Sequence, residues 1–198
     1  MADPTLLETK ARLRGEALSR RDALDPAWRA AASDAIADRV LALPGIDGGP
    51  VSGFWSIRSE VDCRGLLAAL HARGTELCLP VLSRPRMIFR RWAPGEPLEA
   101  RGFGLSEPPS TAPVIVPRIC LVPLAAFDRR GGRLGYGKGY YDGALAALSA
   151  QGGVTAVGLA FSVQEVDAVP REAHDHPLDL VVTEREVVDP LSIPSASL

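Results

Sequence analysis

The sequence predicts an α/β protein: a single-domain, three-layer sandwich over residues 1–198, with a mainly parallel sheet flanked by helices on both faces. Strand-sized apolar runs alternate with helical patterns along the chain, which is the order typical of parallel sheets. Several of these runs are apolar at nearly every position, as expected for strands that are buried on both faces. The chain has 198 residues, 46% of them hydrophobic, which is enough for one well-formed core.

Two helices are predicted at the start of the chain. Residues near Thr5 to Leu24 form a charged amphipathic pattern, and a second helix begins at Asp25-Pro26 and runs to about Leu43. An acid at the N-cap followed by proline at the first helical position is typical of a helix start.

The first of these helices carries a row of cations. At about 100° per residue, Lys10, Arg14 and Arg21 fall within roughly 40° of one another, beside an apolar stripe. Most such rows are solvated surface. This row has a functional meaning only if the helix packs near the glycine-rich segment described below.

The middle of the chain is predicted to contain three strands, one helix and a long loop. In order, the patterns indicate a strand over 51–57, a helix from about Glu60 to Arg73 closed by Gly74, strands over 75–82 and 87–93 that pair as neighbours, and a loop from Pro94 to Pro113. The second half contains a strand over 119–127 interrupted by Pro123, the glycine-rich segment, a helix that stops at Gly152, and strands over 154–162 and 178–183.

The segment from Gly131 to Gly143 is the most informative part of the sequence. Six of its thirteen residues are glycine, and Arg133, Lys138 and Asp142 stand among them. Glycine lets successive backbone N–H groups converge on an anion, cations neutralise its charge, and a carboxylate can hold a metal. The pattern therefore predicts a phosphate site with a metal. A flexible surface turn is the plainer alternative.

Two known phosphate-binding patterns do not fit this segment. Residues 132–138 match the start of the P-loop pattern, but Gly139 stands where that pattern needs a hydroxyl. The dinucleotide fingerprint fails because Tyr140 stands where its last glycine is required. The order of strand, glycine-rich segment and helix nevertheless predicts a ligand site at the carboxyl edge of the sheet, facing a helix N-terminus.

Composition and charge limit the partners of this site. A formal charge of −2 gives no reason to expect a nucleic-acid partner. The N-terminus lacks the features of a signal peptide and the apolar runs are strand-sized, so we expect a cytoplasmic protein with no membrane partner. Cys63, Cys78 and Cys120 are odd in number and show no CxxC spacing, which predicts buried, reduced thiols.

Several phrases of the sequence resemble one family in order and over nearly the whole chain. They are KARLRGEALSRRDAL, FWSIRSEVDCRGLL, GFGLSEP, LVPLAAFDRRGGRLGYGKGYYDGAL and FSVQEVDAVPREAHDHPLDLVVTE. They resemble the 5-formyltetrahydrofolate cyclo-ligases, also called 5,10-methenyltetrahydrofolate synthetases. The resemblance implies ATP- and Mg²⁺-dependent ring closure of 5-formyltetrahydrofolate to 5,10-methenyltetrahydrofolate, with release of ADP and phosphate. It also implies small-molecule substrates, and we expect a monomer.

The resemblance also implies roles for individual residues. The residues expected to bind ATP are Lys10, Arg14, Arg133, Gly135, Gly137, Lys138, Gly139 and Tyr141, with Lys138 and Arg133 as the catalytic cations. Mg²⁺ is expected at Asp142 and Asp175, and folate at Trp55, Glu60, Tyr136 and Tyr140. Taken alone, Trp55 fits a core aromatic and Glu60 fits an acid at a helix N-terminus equally well.

Other patterns carry less weight. His174, Asp175 and His176 lack a distant third or fourth ligand, so we interpret them as a polar loop and not as a zinc site. No role is assigned to Glu107 or Gln164. Leu124 and Arg118 depart from the family phrase, and Leu124, in place of a glycine, can narrow the space behind a ligand. Two rival hypotheses stay open: a sugar-phosphate enzyme on a related scaffold, and a catalytically silent relative that binds a nucleotide or pterin.

Overall fold

The computed structural model describes residues 5–102 and 104–192, which form four helices and eleven strands. The helices are α1 (Leu6–Asp22), α2 (Pro26–Leu41), α3 (Arg64–Ala72) and α4 (Tyr140–Ala150). The strands of the main sheet are β1 (Val51–Ser52), β2 (Leu77–Ser83), β3 (Arg86–Arg91), β6 (Ile119–Pro123), β9 (Thr155–Leu159), β10 (Leu180–Val182) and β11 (Val187–Val188). Two hairpins contain β4 (Glu99–Gly102) with β5 (Leu105–Glu107), and β7 (Ala126–Phe127) with β8 (Arg133–Leu134).

The main sheet has the order β11-β10-β9-β6-β1-β2-β3. Its five central strands are parallel, and the edge strands β11 and β3 are antiparallel to their neighbours. The carboxyl ends of the five parallel strands therefore lie at one edge, where open α/β sheets bind ligands. The predicted pairing of the strands over 75–82 and 87–93 is confirmed as β2 and β3.

Both faces of the sheet are covered by helices, as predicted for a three-layer sandwich. Ile119 and Leu121 of β6 pack in a core with α2 and α3, whereas the alternate residues Cys120 and Val122 pack in a second core with α4. Successive side chains of a strand point to opposite faces, so a strand buried on both faces is apolar at every position. No described helix combines the length and the apolar character needed to cross a membrane.

Helix α1 packs beside the beginning of the glycine-rich segment. Ala17 of this helix is buried in a small cluster with Ala126, Leu134 and Val169. A capping box fixes the start of the helix, because the hydroxyl of Thr5 accepts from the backbone N–H of Glu8 and the Glu8 carboxylate accepts from that of Thr5. Helix α1 therefore packs near the glycine-rich segment, which is the condition under which its row of cations has a functional meaning.

The strand predicted over 119–127 is split in two. Strand β6 ends at Pro123, which has no N–H to continue the ladder. The buried side-chain amide of Gln164 then donates to the carbonyl oxygens of Leu124 at 2.8 Å and Ala125 at 3.1 Å. These carbonyls are therefore satisfied outside the sheet, and the chain turns into β7. Gln164, to which the sequence assigned no role, holds this turn.

The loop predicted over 94–113 contains the hairpin of β4 and β5, so the prediction of a loop was wrong for those residues. Buried Glu107 anchors the hairpin, because its carboxylate accepts from the backbone N–H of Leu82 at 2.9 Å and from Nε of Arg101 at 3.1 Å. Glu107 thus joins the hairpin to β2. No local pattern shows this bond, since its two partners are 25 residues apart.

Three further boundaries differ from the prediction. The helix predicted from Glu60 begins at Arg64, and Glu60 lies in the preceding turn, where its Oε2 accepts from the backbone N–H of Ile57 at 2.9 Å. The reading of Glu60 as an acid at a helix N-terminus is therefore wrong. Strand β1 covers two of the seven predicted residues, and α2 ends at Leu41.

The three cysteines are buried and unpaired, as predicted. Burial raises the pKa of Cys63 to about 11, so its thiol stays protonated at neutral pH. None of the three has the environment of a reactive thiolate.

Candidate active site

Two left-handed glycines shape the turn before α4. Gly137 has φ of 83° and Gly139 has φ of 67°, and Gly139 is the N-cap of the helix. Glycine adopts this conformation without the steric cost that a Cβ would add. Among the residues that the structure describes, no side chain caps the helix, so its first N–H groups are left for another partner. The N-terminus of α4 is therefore suited to an anion.

Helix α1 brings cations to this turn. Nε of Arg14 donates to the carbonyl oxygen of Gly135 at 2.6 Å, and a Cβ on Gly137 would stand 3.4 Å from its guanidinium. Lys138 is exposed, and its ammonium has no hydrogen-bond partner among residues 5–102 and 104–192. The row on α1 and the glycine-rich segment, more than 100 residues apart in sequence, thus form one cationic surface.

Lys10, at the start of this row, contacts two acids on the loop after the 3₁₀ turn at Ser162–Gln164. Its Nζ lies 2.6 Å from Oδ2 of Asp175 and 2.9 Å from Oε2 of Glu172. Burial by itself lowers the pKa of Lys10, but the hydrogen bonds that its ammonium donates to the two acids outweigh burial and raise it. Burial likewise raises the pKa of Asp175, and the bond from Lys10 lowers it overall. Both groups are therefore charged at neutral pH. Glu172 has no role in the predictions made from the sequence.

Arg133 and Asp142 form a second pair across the glycine-rich segment. Nη2 of Arg133 lies 2.7 Å from Oδ1 of Asp142, which also accepts from the backbone N–H of His176 at 3.1 Å. Nη1 of Arg133 donates to the carbonyl oxygen of His176. These bonds join the beginning of α4 to the loop that carries Asp175. Asp142 therefore accepts from the backbone of the residue that follows Asp175, which is the other predicted metal-binding acid.

The oxygens of these acids fit a hard cation. Oδ2 of Asp142 accepts no hydrogen bond from the described part of the chain. Oδ1 of Asp175 lies 3.7 Å from Nε2 of His174. Mg²⁺ prefers such oxygen ligands and usually keeps several waters. Ligand atoms of Glu172, His174 and Asp175 also lie within 4.8 Å of one another, and the single ammonium of Lys10 contacts both acids of that group.

A narrow gap, too tight to hold a water molecule, lies beside Arg21 and Glu60. It is lined by Arg21, Phe54, Glu60, Val61, Pro123, Leu124, Leu159 and Gln164. Leu124, which departs from the family phrase, is one of its apolar walls. Burial raises the pKa of Glu60, although the bond from Ile57 N, the nearby Arg21 and the Tyr136 hydroxyl oppose the shift.

The predicted aromatic contacts of folate lie in different environments. Trp55 is partly buried and packs edge-to-face with Trp92, with ring centroids 5.8 Å apart. Tyr136 is 38% exposed and lies beside Glu60. Tyr140 and Tyr141 pack partly buried against the core below α4. The Tyr141 hydroxyl is buried and has no partner in the described residues, and burial raises its pKa well above the ordinary value.

Asp128 is a residue whose importance the sequence analysis missed. It is buried, and its Oδ1 accepts from the backbone N–H groups of Arg130 and Gly132, both at 2.9 Å. Its Oδ2 accepts from the backbone N–H of Val169 at 2.7 Å. The available signal was an aspartate three residues before a pair of glycines, since aspartate often accepts from backbone N–H groups two residues on. Asp128 fixes the entry to the glycine-rich segment.

A comparison with known families identifies this arrangement. The profile of the 5-formyltetrahydrofolate cyclo-ligase family matches residues 7–184. The chain belongs to this family. It is 33% identical over 137 residues to the 5-formyltetrahydrofolate cyclo-ligase of Haemophilus influenzae, covering 65% of this chain and 73% of that protein. It is 31% identical over 176 residues to the cyclo-ligase of Escherichia coli strain K12, covering 85% of this chain and 96% of that protein.

Solved structures agree with membership of the cyclo-ligase family. The NMR structure of Aquifex aeolicus 5,10-methenyltetrahydrofolate synthetase superposes with a TM-score of 0.79 at 30% identity, covering 96% of both chains. A structure of the synthetase from Mycoplasma pneumoniae has a TM-score of 0.71 at 24% identity, covers 88% of this chain and 98% of that one, and supports the fold. The predicted resemblance and fold class are confirmed.

Proposed function

We propose that this protein cyclises 5-formyltetrahydrofolate to 5,10-methenyltetrahydrofolate, using ATP and Mg²⁺ and releasing ADP and phosphate. Relatives from H. influenzae and E. coli bear the name of this activity. The observation that carries the proposal is the contact between Arg14 and Gly135, because it joins the cations of α1 to the open N-terminus of α4. Such a junction suits the phosphates of a nucleotide.

The reaction needs two ligands held in line. A formamide carbonyl is a poor electrophile, so the γ-phosphoryl group of ATP is transferred to the formyl oxygen, and ADP leaves. N10 then forms a bond to the formyl carbon, loses its proton, and phosphate leaves with the former formyl oxygen. Most of the rate acceleration in phosphoryl transfer comes from positioning and from charge stabilisation. The protein must therefore supply fixed cations near the transferred group.

The cations of the site can meet this requirement. We assign Lys10 and Arg14 to the phosphates of ATP, and Arg133 and Lys138 to the transferred phosphoryl group. Arg133 is oriented by Asp142, whereas Lys138 is free to approach a bound phosphate. The backbone N–H groups of Gly135, Gly137 and Gly139 add neutral donors to the same surface. The role of Tyr141 in ATP binding stays a prediction, because its hydroxyl is buried away from solvent.

Asp142 and Asp175 would hold Mg²⁺ through their oxygens. Bound there, the ion supplies positive charge that neutralises the phosphate oxygens. Phosphate oxygens also compete for Lys10 and Arg133, which pair with these acids in the free protein. Binding of ATP would therefore release carboxylate oxygens for the metal.

The folate is assigned to the other side of the glycine-rich segment. Trp55 offers an aromatic surface to a flat ring, and Tyr136 and Tyr140 stand in the segment between the two substrates. The carboxylate of Glu60 can accept from the amino and ring N–H groups of the pterin. Its position beside the hydroxyl of Tyr136 supports this assignment.

The test is the absorbance of 5,10-methenyltetrahydrofolate formed from 5-formyltetrahydrofolate by the purified protein. We expect product only when ATP and Mg²⁺ are both present. Product without ATP would contradict the proposal, and folate binding without turnover would favour a silent relative. Turnover of a phosphorylated sugar in place of folate would favour the sugar-phosphate hypothesis.

Arg14→Ala and Arg12→Ala form a matched pair of variants on α1. Arg12 points away from the site and pairs with Glu16 at 2.9 Å on the surface. Arg14→Ala should raise the KM for ATP about tenfold or more, because a charged hydrogen-bond donor to phosphate is lost. Arg12→Ala should leave it unchanged. An equal rise of the KM for ATP in both variants would contradict the proposal that α1 binds ATP through the face that carries Arg14. We also expect the protein to act as a monomer in the cytoplasm, which light scattering and cell fractionation test.

A further inference from the structure

Glu172 shares the ammonium of Lys10 with Asp175. Nζ of Lys10 lies 2.9 Å from Oε2 of Glu172 and 2.6 Å from Oδ2 of Asp175. A turn also joins the two acids. Its backbone N–H of Glu172 donates to Oδ2 of Asp175 at 2.8 Å, and that of Asp175 donates to the carbonyl oxygen of Glu172 at 3.0 Å. The turn therefore holds both carboxylates against one lysine of α1.

The Lys10 ammonium has three N–H donors, and these two acids use two of them. The third has no acceptor among residues 5–102 and 104–192. The side chain of Lys10 is 11% exposed, whereas those of Asp175 and Glu172 are 19% and 39% exposed. The ammonium therefore keeps one donor for a further ligand, and Glu172 forms the more exposed of its two ion pairs.

The proposed function gives the two acids different tasks. Asp175 is assigned to Mg²⁺ and Lys10 to the phosphates of ATP, so Asp175 must exchange its bond to Lys10 for a bond to the metal. A lysine side chain has several rotatable bonds, and an unrestrained ammonium loses conformational entropy when it binds a ligand. Glu172 lies on the same ammonium and is not assigned to the metal, so it can restrain Lys10 after Asp175 has turned away.

We propose that Glu172 is a positioning residue for the nucleotide: it holds the Lys10 ammonium beside the phosphates of ATP while Asp175 binds Mg²⁺. This rests on the proposed function, which assigns Lys10 to ATP. Glu172 does not bind the nucleotide directly, because a carboxylate and a phosphate repel each other. Its negative charge therefore opposes nucleotide binding, whereas its bond to Lys10 favours it. The two effects have opposite signs, so one substitution tells them apart.

The test is the dissociation constant of the non-hydrolysable ATP analogue AMP-PNP with Mg²⁺, measured by calorimetry for the wild type and for Glu172→Ala. Glu172→Ala should weaken binding about 3- to 10-fold, because the ammonium loses the partner that restrains it. Charge alone predicts tighter binding, because the substitution removes a negative charge beside an anion. With EDTA in place of Mg²⁺, Asp175 keeps its bond to Lys10, and the loss should shrink to less than about twofold.

Glu165→Ala is the matched control. Glu165 has a similarly exposed side chain, at 35%, and pairs at 3.4 Å with Arg129, which has no role in the proposed site. Its replacement removes the same charge as Glu172→Ala and should leave the dissociation constant of AMP-PNP unchanged. The affinity for 5-formyltetrahydrofolate is a second control. It should stay at the wild-type value in Glu172→Ala, since a general loss of structure would weaken the binding of both ligands.

A double-mutant cycle tests whether Glu172 acts through Lys10. In a Lys10→Met background, Glu172→Ala should cause no further loss of affinity for AMP-PNP, because no ammonium remains to be restrained. If Glu172 binds Mg²⁺ directly, the same loss should appear in both backgrounds. Circular dichroism checks the fold of each variant, and Lys10→Gln replaces Lys10→Met if the latter does not fold.

The outcomes distinguish the role of Glu172 from the function on which it rests. The inference alone is overturned if the wild type binds AMP-PNP and turns over 5-formyltetrahydrofolate, while folded Glu172→Ala binds AMP-PNP as tightly as the wild type or more tightly. An equal loss in both Lys10 backgrounds, or with and without Mg²⁺, also overturns it. A wild type that neither binds AMP-PNP nor turns over the folate overturns both.

Discussion

Replacing Asp128 by asparagine should destabilise the entry to the glycine-rich segment without removing any group assigned to a substrate. Oδ1 accepts from two backbone N–H groups and Oδ2 from that of Val169. An asparagine amide has one acceptor oxygen, so its nitrogen must face at least one of these donors. Leaving one buried donor unpaired costs about 1–3 kcal/mol, and we expect Asp128→Asn to lower the free energy of unfolding by that amount.

Asp128→Ala extends the same reasoning. It leaves the buried N–H groups of Gly132 and Val169 both without an acceptor, which gives roughly 2–6 kcal/mol at the same cost per donor. The free energy of unfolding of a protein domain is about 5–15 kcal/mol in total, so this variant loses a large part of its stability. The free energy of unfolding should therefore decrease from the wild type to Asp128→Asn and again to Asp128→Ala.

Urea unfolding followed by circular dichroism measures these differences. Asp25→Asn is the control, because Asp25 caps α2 by accepting from Trp28 N at 3.0 Å, and asparagine caps as well as aspartate does. Its stability should stay within about 0.5 kcal/mol of the wild type. If Asp128→Asn is as stable as the wild type, or if the control loses as much, the assigned role of Asp128 is refuted.

Three further predictions concern the site. Burial raises the pKa of Glu60 above the 4.5 of an exposed glutamate, so the folded state binds the proton more tightly than the unfolded chain does. The free energy of unfolding therefore falls as pH rises from the pKa of the unfolded state to that of the folded state. Glu60→Gln should therefore be more stable than the wild type at pH 7 and equal to it below about pH 4 in urea unfolding, while binding 5-formyltetrahydrofolate more weakly; equal stability at both pH values would contradict the reasoning. Gly137→Ala should lose about 1–2 kcal/mol of stability in urea unfolding, because its φ of 83° is unfavourable for a residue with a Cβ; unchanged stability would contradict the reasoning. Asp142→Ala should fold but lose turnover in the absorbance assay, whereas His176→Ala should stay active because the contacts of His176 with Arg133 and Asp142 use its backbone; an inactive, folded His176→Ala would reopen the question of a metal cluster.

Most of the elements were predictable from local patterns. Asp25-Pro26 fixed the start of α2, and continuous apolar runs indicated the parallel strands, because caps and burial leave their mark within a few residues. The predictions failed where a distant bond decides the backbone. Gln164 ends the central strand from 40 residues away, and Glu107 holds a hairpin within the region predicted as a loop.

The sequence also showed which residue types the site contains, but it did not show which of these residues contact one another. The spacing of Lys10, Arg14 and Arg21 determined that they share one face of a helix. Only the tertiary structure decided that Lys10 meets Asp175, that Arg14 meets Gly135, and that Arg21 meets Ser59. Helical periodicity acts between neighbours in the chain, but hydrogen bonds and burial join residues more than 100 positions apart. The sequence by itself therefore determined the family and the fold class, and the packing of α1 against the glycine-rich segment determined how these residues are brought together.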